Sequence, residues 1–164
     1  MRLFQKGGHE VSVVLTAAAL QFIPALPFET FCPGRVYSHM FAPHQDPLVH
    51  INVARQHDLL LIAPASANII GKMANGIADD LLSTMYLAFF KKVVVAPAMN
   101  SYMFDHPAVK ENLARLQARG VFIIEPSEGS LACKEEGRGK LPPPQEIYDY
   151  CITLSQQKEN AQGK

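Results

Sequence analysis

Several side chains able to move protons, react through sulfur or hold polar ligands stand where that chemistry would be usable. Cys133 lies in a charged stretch, Lys134-Glu135-Glu136-Gly137-Arg138, where a thiol is exposed and can react, whereas a cysteine in an apolar run acts as a small hydrophobe. His39, His44 and His50 are imidazoles, the side chain most often used to ligate a metal. Their irregular separations in a proline-containing loop, with no ordered carboxylate partner, disfavour a metal centre. The run Pro64-Ala65-Ser66-Ala67-Asn68 offers small side chains past which a ligand can reach the backbone, with Ser66 placed to cap a helix. In Pro97-Ala98-Met99-Asn100, followed by Met103, the asparagine alone reads as a turn residue and the methionines as apolar filler. Lys72, one turn beyond Asn68, can reach an anion or solvate the end of its helix. Asp79-Asp80 reads as the cap of the following helix and not as an acid–base pair.

These residues follow short apolar runs. Residues 11–15, 58–63 and 93–96, with a weaker run at 121–124, are apolar at successive positions, as strands buried on both faces of a parallel sheet are. Helical spacing falls between them, at 17–23, 67–73, 80–90 and 107–119. The last opens with Pro107 in its first turn and stops at Gly120. The alternation predicts a doubly wound α/β layer, whose ligands sit beyond the carboxyl ends of the strands. Both small-residue turns occupy such positions. Residues 33–49 and 127–144 break the rhythm and read as lids or binding loops. The opening Arg2-Leu3-Phe4-Gln5-Lys6-Gly7-Gly8 reads as the end of a helix. A first strand with its glycine-rich phosphate turn is therefore missing, and the sequence is expected to be internal to a longer chain or a truncated form.

With 164 residues, 48% of them hydrophobic, the chain can bury one core, so a single domain at 1–156 is expected, with a polar tail at 157–164. Fifteen basic residues balance fifteen acidic ones, and their scatter leaves no footprint for nucleic acid or an acidic membrane surface. The cysteines, Cys32, Cys133 and Cys151, are odd in number and widely spaced, which fits neither a disulfide framework nor a zinc site and points to a reducing, cytoplasmic setting. The most apolar segment, 59–70, is interrupted by Pro64 and is far shorter than the roughly 20 residues of a spanning helix.

His50-Ile51, the run from Pro64 to Asn68, Lys72, Gly76-Ile77-Ala78-Asp79-Asp80-Leu81-Leu82, Pro97 to Asn100 with Met103, and Ala132-Cys133 stand in the order and spacing of the flavin-containing cysteine decarboxylases. The chain resembles that family over residues 3–147, most closely its members acting on 4'-phosphopantothenoylcysteine in coenzyme A synthesis. The resemblance implies a Rossmann-like, flavodoxin-like three-layer fold, a parallel sheet with helices on both faces. It further implies FMN as cofactor and a homo-oligomer of trimers or their multiples with flavin at subunit boundaries. By the same resemblance Ser66, Ala67, Asn68 and Ile69 line the flavin, Thr16 to Ala18 face its phosphate side, and Ala98 touches the ring. His50 is then the base, Asn100 holds the substrate carboxylate beside Met103 and Ala132, and Cys133 is the acid on a flap.

The implied chemistry has a reason. Loss of CO2 from an acylated cysteine leaves an electron pair on a carbon with no acceptor, so the thiol-bearing carbon is first oxidised to a thioaldehyde while FMN holds the hydride equivalent. Decarboxylation then gives an enethiol, which Cys133 protonates as the electrons return. Peptidyl-cysteine decarboxylases of the same superfamily stop at the enethiol, so Cys133 favours the coenzyme A reaction. The ligase that makes the substrate is expected on a separate protein. A regulatory flavoprotein without catalysis is the rival from another class. Lys134 and Lys140 depart from the family's glycine and arginine on the flap, and Phe104 and Gln56-His57 from its tryptophan positions.

Overall fold

The consecutive residues Val93-Val94-Val95-Ala96 can all be buried only where a strand is covered on both faces, and the computed structural model buries each of them to 5% exposure or less. It describes residues 1–41, 46–130 and 136–157. The chain divides into two units, Leu59–Gly71 with Lys91–Lys164, and Met1–Asp58 with Lys72–Phe90.

In the unit of Leu59–Gly71 and Lys91–Lys164, β3 (Leu59–Ala65), β4 (Lys92–Pro97) and β5 (Phe122–Ile123) form a parallel sheet in the order β3-β4-β5. The helix α6 (Ser101–Asp105) follows β4, and α7 (Pro107–Ala118) returns the chain to β5. Pro107 takes the first turn of α7, the His106 ring nitrogen Nδ1 accepts from the Ala108 N–H at 3.2 Å, and Gly120 closes the far end at φ +84°. Val109, Leu113 and Leu116 form its buried stripe. A hairpin of β6 (Ser127–Ser130) and β7 (Glu136–Lys140) comes next, and then α8 (Pro144–Gln156), which buries Ile147, Cys151 and Leu154. The Lys92 ammonium donates to the carbonyls of Leu154 and Gln157, each at 2.8 Å, and so fastens the C-terminus of α8 to β4.

In the other unit, α1 (Arg2–Lys6) ends at Gly7 as its sequence predicts, and β1 (Val13–Val14) pairs in parallel with β2 (Val36–Tyr37). It also holds α2 (Leu26–Phe31), α3 (Val49–Gln56) and α5 (Leu81–Ala88). The helix α4 (Ala67–Asn75) gives residues to both units. The helix expected at 17–23 shrinks to a single 3-10 turn, Ala19–Gln21. Pro24 explains this, since it lacks an N–H to continue the helix and disfavours helical geometry in the residue before it. The irregular tracts contain more order than their composition predicts. Residues 33–49 include β2, and 127–144 include the hairpin and the first residue of α8; α2, α3 and α8 are further helices that the apolar-run reading misses.

One polar joint links α4 to α5. The Lys72 ammonium lies 2.7 Å from Asp79 Oδ1 and 2.8 Å from Asp80 Oδ2. Asp80 caps α5 in a reciprocal box: its Oδ1 accepts from the Ser83 N–H at 2.8 Å, and its own N–H donates to Ser83 Oγ at 3.1 Å. Ser83 is fully buried, so this pairing satisfies a hydroxyl with no access to water. Burial pushes the Asp80 carboxyl up, and the Lys72 ammonium together with the Ser83 backbone and hydroxyl outweighs it, leaving Asp80 below its ordinary range. Lys72 is raised, by Asp79 first and Asp80 second.

The signs fix a pH window. A carboxylate lowered on folding contributes in full above its unfolded value, about pH 4, and loses that contribution as pH falls; a raised ammonium contributes below about pH 10 and loses its share above. Replacing Asp80→Asn should therefore lower stability by about 1–2 kcal/mol near neutral pH. In thermal melts the gap between the native chain and the variant should narrow as pH is taken below about 4. A gap that stays constant down to about pH 3 would show that the ionised pair contributes nothing.

Candidate functional site

The two small-residue turns leave neighbouring strands and are joined by the backbone itself. The β3–β4 register shifts between Ile62 and Ala65, Ala65 pairs with Pro97, and the Ala98 N–H donates to the Ala65 carbonyl at 3.0 Å. Ala65 is fully buried, whereas Ser66 and Asn68 at the start of α4 are exposed and Ala67 and Ala98 are half-buried. Ile69 is 6% exposed, so a ligand at this turn would meet its backbone more than its side chain. One residue further on, the Met99 N–H donates to the Gly139 carbonyl at 3.0 Å, which brings strand β7 onto the turn. Asn100 caps α6, its Oδ1 accepting from the Tyr102 N–H at 2.9 Å. Met103 and Tyr102 are exposed and line a shallow apolar depression with His106 and Val109.

Alternate glycines make the contact of β7 with the turn possible. Gly139 has φ +135°, and a Cβ there would run into the Met99 carbonyl oxygen; a Cβ on Gly137 would sit 3.1 Å from the Ser101 side chain. Glycine inside a strand marks such a close approach. The Gly-Arg-Gly spacing at 137–139 is the signal that reading the tract as a loop overlooked. Arg138 adds an ion pair to Glu125 at 3.3 Å and lies over the Phe104 ring at 5.8 Å from its centroid. Ala132 and Cys133 lie outside the described residues, as do His44 and Lys134. Lys140 ends β7, with its side chain over Gly129.

In the other unit His50 is not in a loop but in the first turn of α3. Leu48 at the cap position has no side-chain acceptor, and Asp46 supplies one: its Oδ1 accepts from the Leu48 N–H at 2.8 Å, and its Oδ2 accepts from the Asn52 amide. The Leu48 N–H first and the Asn52 amide second hold the Asp46 carboxyl below its ordinary range. The His50 ring is half-buried, and its Nδ1 is buried with no hydrogen-bond partner among the described residues. An unpaired buried nitrogen costs about 1–3 kcal/mol.

A cavity of about 420 Å³ opens at the carboxyl end of β1, walled by Leu15, Thr16, Ala17, Met40, Phe41 and the residues 79–82. Its lining is mainly apolar, with Thr16, Ser38, His39 and the two aspartates as the polar exceptions. Thr16 Oγ1 accepts from the Ala19 N–H at 3.1 Å, which leaves the hydroxyl proton to be donated elsewhere. Ala18, next in sequence, is exposed. The described cysteines are core residues: Cys32 is 3% and Cys151 1% exposed, and burial pushes the Cys151 thiol up to about 11, far from a nucleophilic thiolate at neutral pH.

The model of the Flavoprotein family matches residues 1–156. The coenzyme A biosynthesis bifunctional protein CoaBC of Bacillus subtilis (strain 168) is 47% identical over 144 residues, which cover 87% of this chain and 35% of that protein. The chain thus spans about a third of the length of that relative. Among solved structures, a PPC decarboxylase with a cysteine replaced by serine, complexed with pantothenoylaminoethenethiol, superposes with a TM-score of 0.81 at 32% identity, over 93% of this chain and 86% of that one. The FMN-dependent cysteine decarboxylase SpaF gives 0.78 at 31%, over 93% and 84%. The fold is accordingly Rossmann-like α/β, with parallel strands and helices on both faces.

The glycine contact sets an expectation for stability. Gly139→Ala places a side chain against the Met99 carbonyl at a φ that only glycine adopts readily, and should cost about 2–3 kcal/mol in urea unfolding. Gly137→Ala, whose new methyl meets a serine side chain, should cost less than about 1 kcal/mol. Equal, small effects of the two changes would mean that β7 does not lie on the turn.

Proposed function

The chain belongs to the flavoprotein family, and on that footing we propose that it binds FMN and removes the cysteinyl carboxylate of 4'-phosphopantothenoylcysteine, giving 4'-phosphopantetheine and CO2 in coenzyme A synthesis. The similarity to a coenzyme A biosynthesis protein and to a PPC decarboxylase supports the substrate class. The observation that carries the reading is His50: an imidazole held in a capped helical turn with one nitrogen buried and unpartnered among the described residues.

The apolar residues present fit the ring of FMN, with Asp79 and Asp80 in the same wall. The mainly apolar cavity at the end of β1 suits a flat heteroaromatic ligand, and Thr16 retains a hydroxyl proton for an acceptor oxygen. Thr16 and Ala18 would face the phosphate side, and Ser66, Ala67, Asn68, Ile69 and Ala98 would line the ring, with subunits of a homotrimer or a multiple of trimers contributing them. Phe22 at 92%, Leu26 at 69% and Phe41 at 85% exposure are large apolar side chains that an assembled form would cover. When bound, FMN supplies a reversible two-electron sink that allows CO2 to leave a carbon with no acceptor of its own.

The chain's own groups handle protons and charge. With Nδ1 of His50 buried, Nε2 is the nitrogen a substrate thiol can reach, and it takes the thiol proton. The Asn100 amide holds the substrate carboxylate by N–H donation, at a turn fixed from both sides by Ala65 and Gly139, while Met103 and Ala132 flank the substrate. Cys133 returns a proton to the decarboxylated carbon, so that the reaction ends at the saturated thiol with no net redox change. A phosphopantothenate–cysteine ligase supplies the substrate, and the cytoplasm is the compartment in which such thiols stay reduced.

The test is CO2 release from 4'-phosphopantothenoylcysteine by the FMN-loaded protein. His50→Asn should lower kcat about 10²–10⁴-fold with the flavin absorbance retained, and Cys133→Ser should accumulate an oxidised, decarboxylated thiol. Full activity in His50→Asn, or normal 4'-phosphopantetheine from Cys133→Ser at an undiminished rate, would contradict these roles. Flavin binding without turnover in the native chain would instead identify a regulatory flavoprotein.

A further inference from the structure

We propose that Asp46 is a positioning residue for His50: its carboxylate holds the first turn of α3 closed and so fixes where the imidazole meets the substrate thiol. The inference rests on the reading of His50 as the base and adds to it the group that keeps that base in place.

His50 is the second residue of α3. The first turn of a helix frays readily, because its N–H groups have no intrahelical acceptor. Leu48 at the cap position has no side chain to supply one. The ring does not anchor itself through Nδ1 either, since that nitrogen has no hydrogen-bond partner among the described residues. The direction of Nε2 therefore follows from the backbone that carries the ring. Fraying of this turn would displace the imidazole with it.

Asp46 grips the turn at three points. Its Oδ1 accepts from the Leu48 N–H at 2.8 Å, its Oδ2 accepts from the Asn52 side-chain amide, and its own carbonyl accepts from the Val49 N–H at 3.0 Å. Leu48 and Asn52 stand on either side of His50 in sequence and one helical turn apart, so a single carboxylate brackets the residue between them. The Leu48 N–H first and the Asn52 amide second hold that carboxyl below its ordinary range, and a charged His50 ring acts in the same direction. Asp46 is thus ionised at neutral pH and lies close enough to the imidazole to feel its charge. Asp46 itself is exposed, while Val49, Val53 and Ala54 seat the helix. Removing the carboxylate should loosen the turn and leave the core packed.

The test is a double-mutant cycle on kcat per bound FMN, with 4'-phosphopantothenoylcysteine as substrate. Asp46→Ala should lower kcat about tenfold with KM within about twofold of native, because a displaced base slows the chemistry and spares binding. Asp46→Asn keeps an oxygen for the Leu48 N–H and should stay within about threefold of native. In a His50→Asn background, Asp46→Ala should cost less than about twofold, since no base is left to displace. Should Asp46→Ala fail to load FMN, Asn52→Ala removes only the second arm and goes through the same cycle, with an expected loss of about threefold that vanishes in the His50→Asn background. Lower stability with unchanged kcat per bound FMN would make Asp46 a helix cap alone and overturn the inference. So would an Asp46→Asn as impaired as Asp46→Ala, or a loss that persists undiminished without His50. Full activity of His50→Asn by itself would instead remove the reading of His50 as the base, on which the inference stands.

Discussion

One backbone hydrogen bond, from the Ala98 N–H to the Ala65 carbonyl, determines where the post-strand turns stand. The parallel pairing of β3 with β4 would otherwise end with the strands, and the two turns would diverge as independent loops. The register shift after Ile62 lets Ala65 pair with Pro97, and the ladder then continues one residue into each turn. A small side chain follows from this constraint at Ala65, which is fully buried. Met99 is held in turn by Gly139, so three separate stretches of chain converge through backbone atoms alone. Side-chain identity at the turns is thereby left open for ligand contact, which is how α/β layers place binding groups beyond their strand ends.

Polar groups in the other unit answer to a different constraint, that of satisfying charge near an apolar cavity. Lys72, Asp79, Asp80 and Ser83 satisfy one another, and their pairing lets a lysine and a buried hydroxyl exist where water is scarce. Asp46 fixes the opening turn of α3 and with it the backbone of His50. The ring of His50 is the exception, with Nδ1 unpaired among the described residues.

Much of this was legible in the sequence, and the misses have physical causes. Strands β3 and β4 are unbroken apolar runs, although only β4 is buried at nearly every position while burial alternates along β3, and α7 has proline at its start and glycine at its end, so each was readable locally. The capping role of Asp80 was likewise readable from its place before an apolar helix. Helix α8 escaped because three consecutive prolines read as irregular chain, although proline at the first turn is compatible with a helix; Ile147, Cys151 and Leu154 at helical spacing were the available signal. Helix α3 was hidden by a cap that lies two residues upstream of the usual position. The hairpin of β6 and β7 has no apolar alternation, since its pairing rests on backbone and on glycines that permit close approach. Partners of Lys72 were beyond local reading because they lie seven and eight residues away, past the end of its helix.

Amide hydrogen exchange on the native protein tests the governing constraint most directly. If the β3–β4 ladder extends into both turns, the amide of Ala98 should be protected within about tenfold of Val94 and Val95 in the centre of β4, because exchange would then require the same opening, while the amide of Met99 should be protected through its separate bond to Gly139 of β7. Exchange of Ala98 and Met99 at the rate of exposed loop amides, with Val94 and Val95 still protected, would show that the turns are not held together and that the account of the site is wrong.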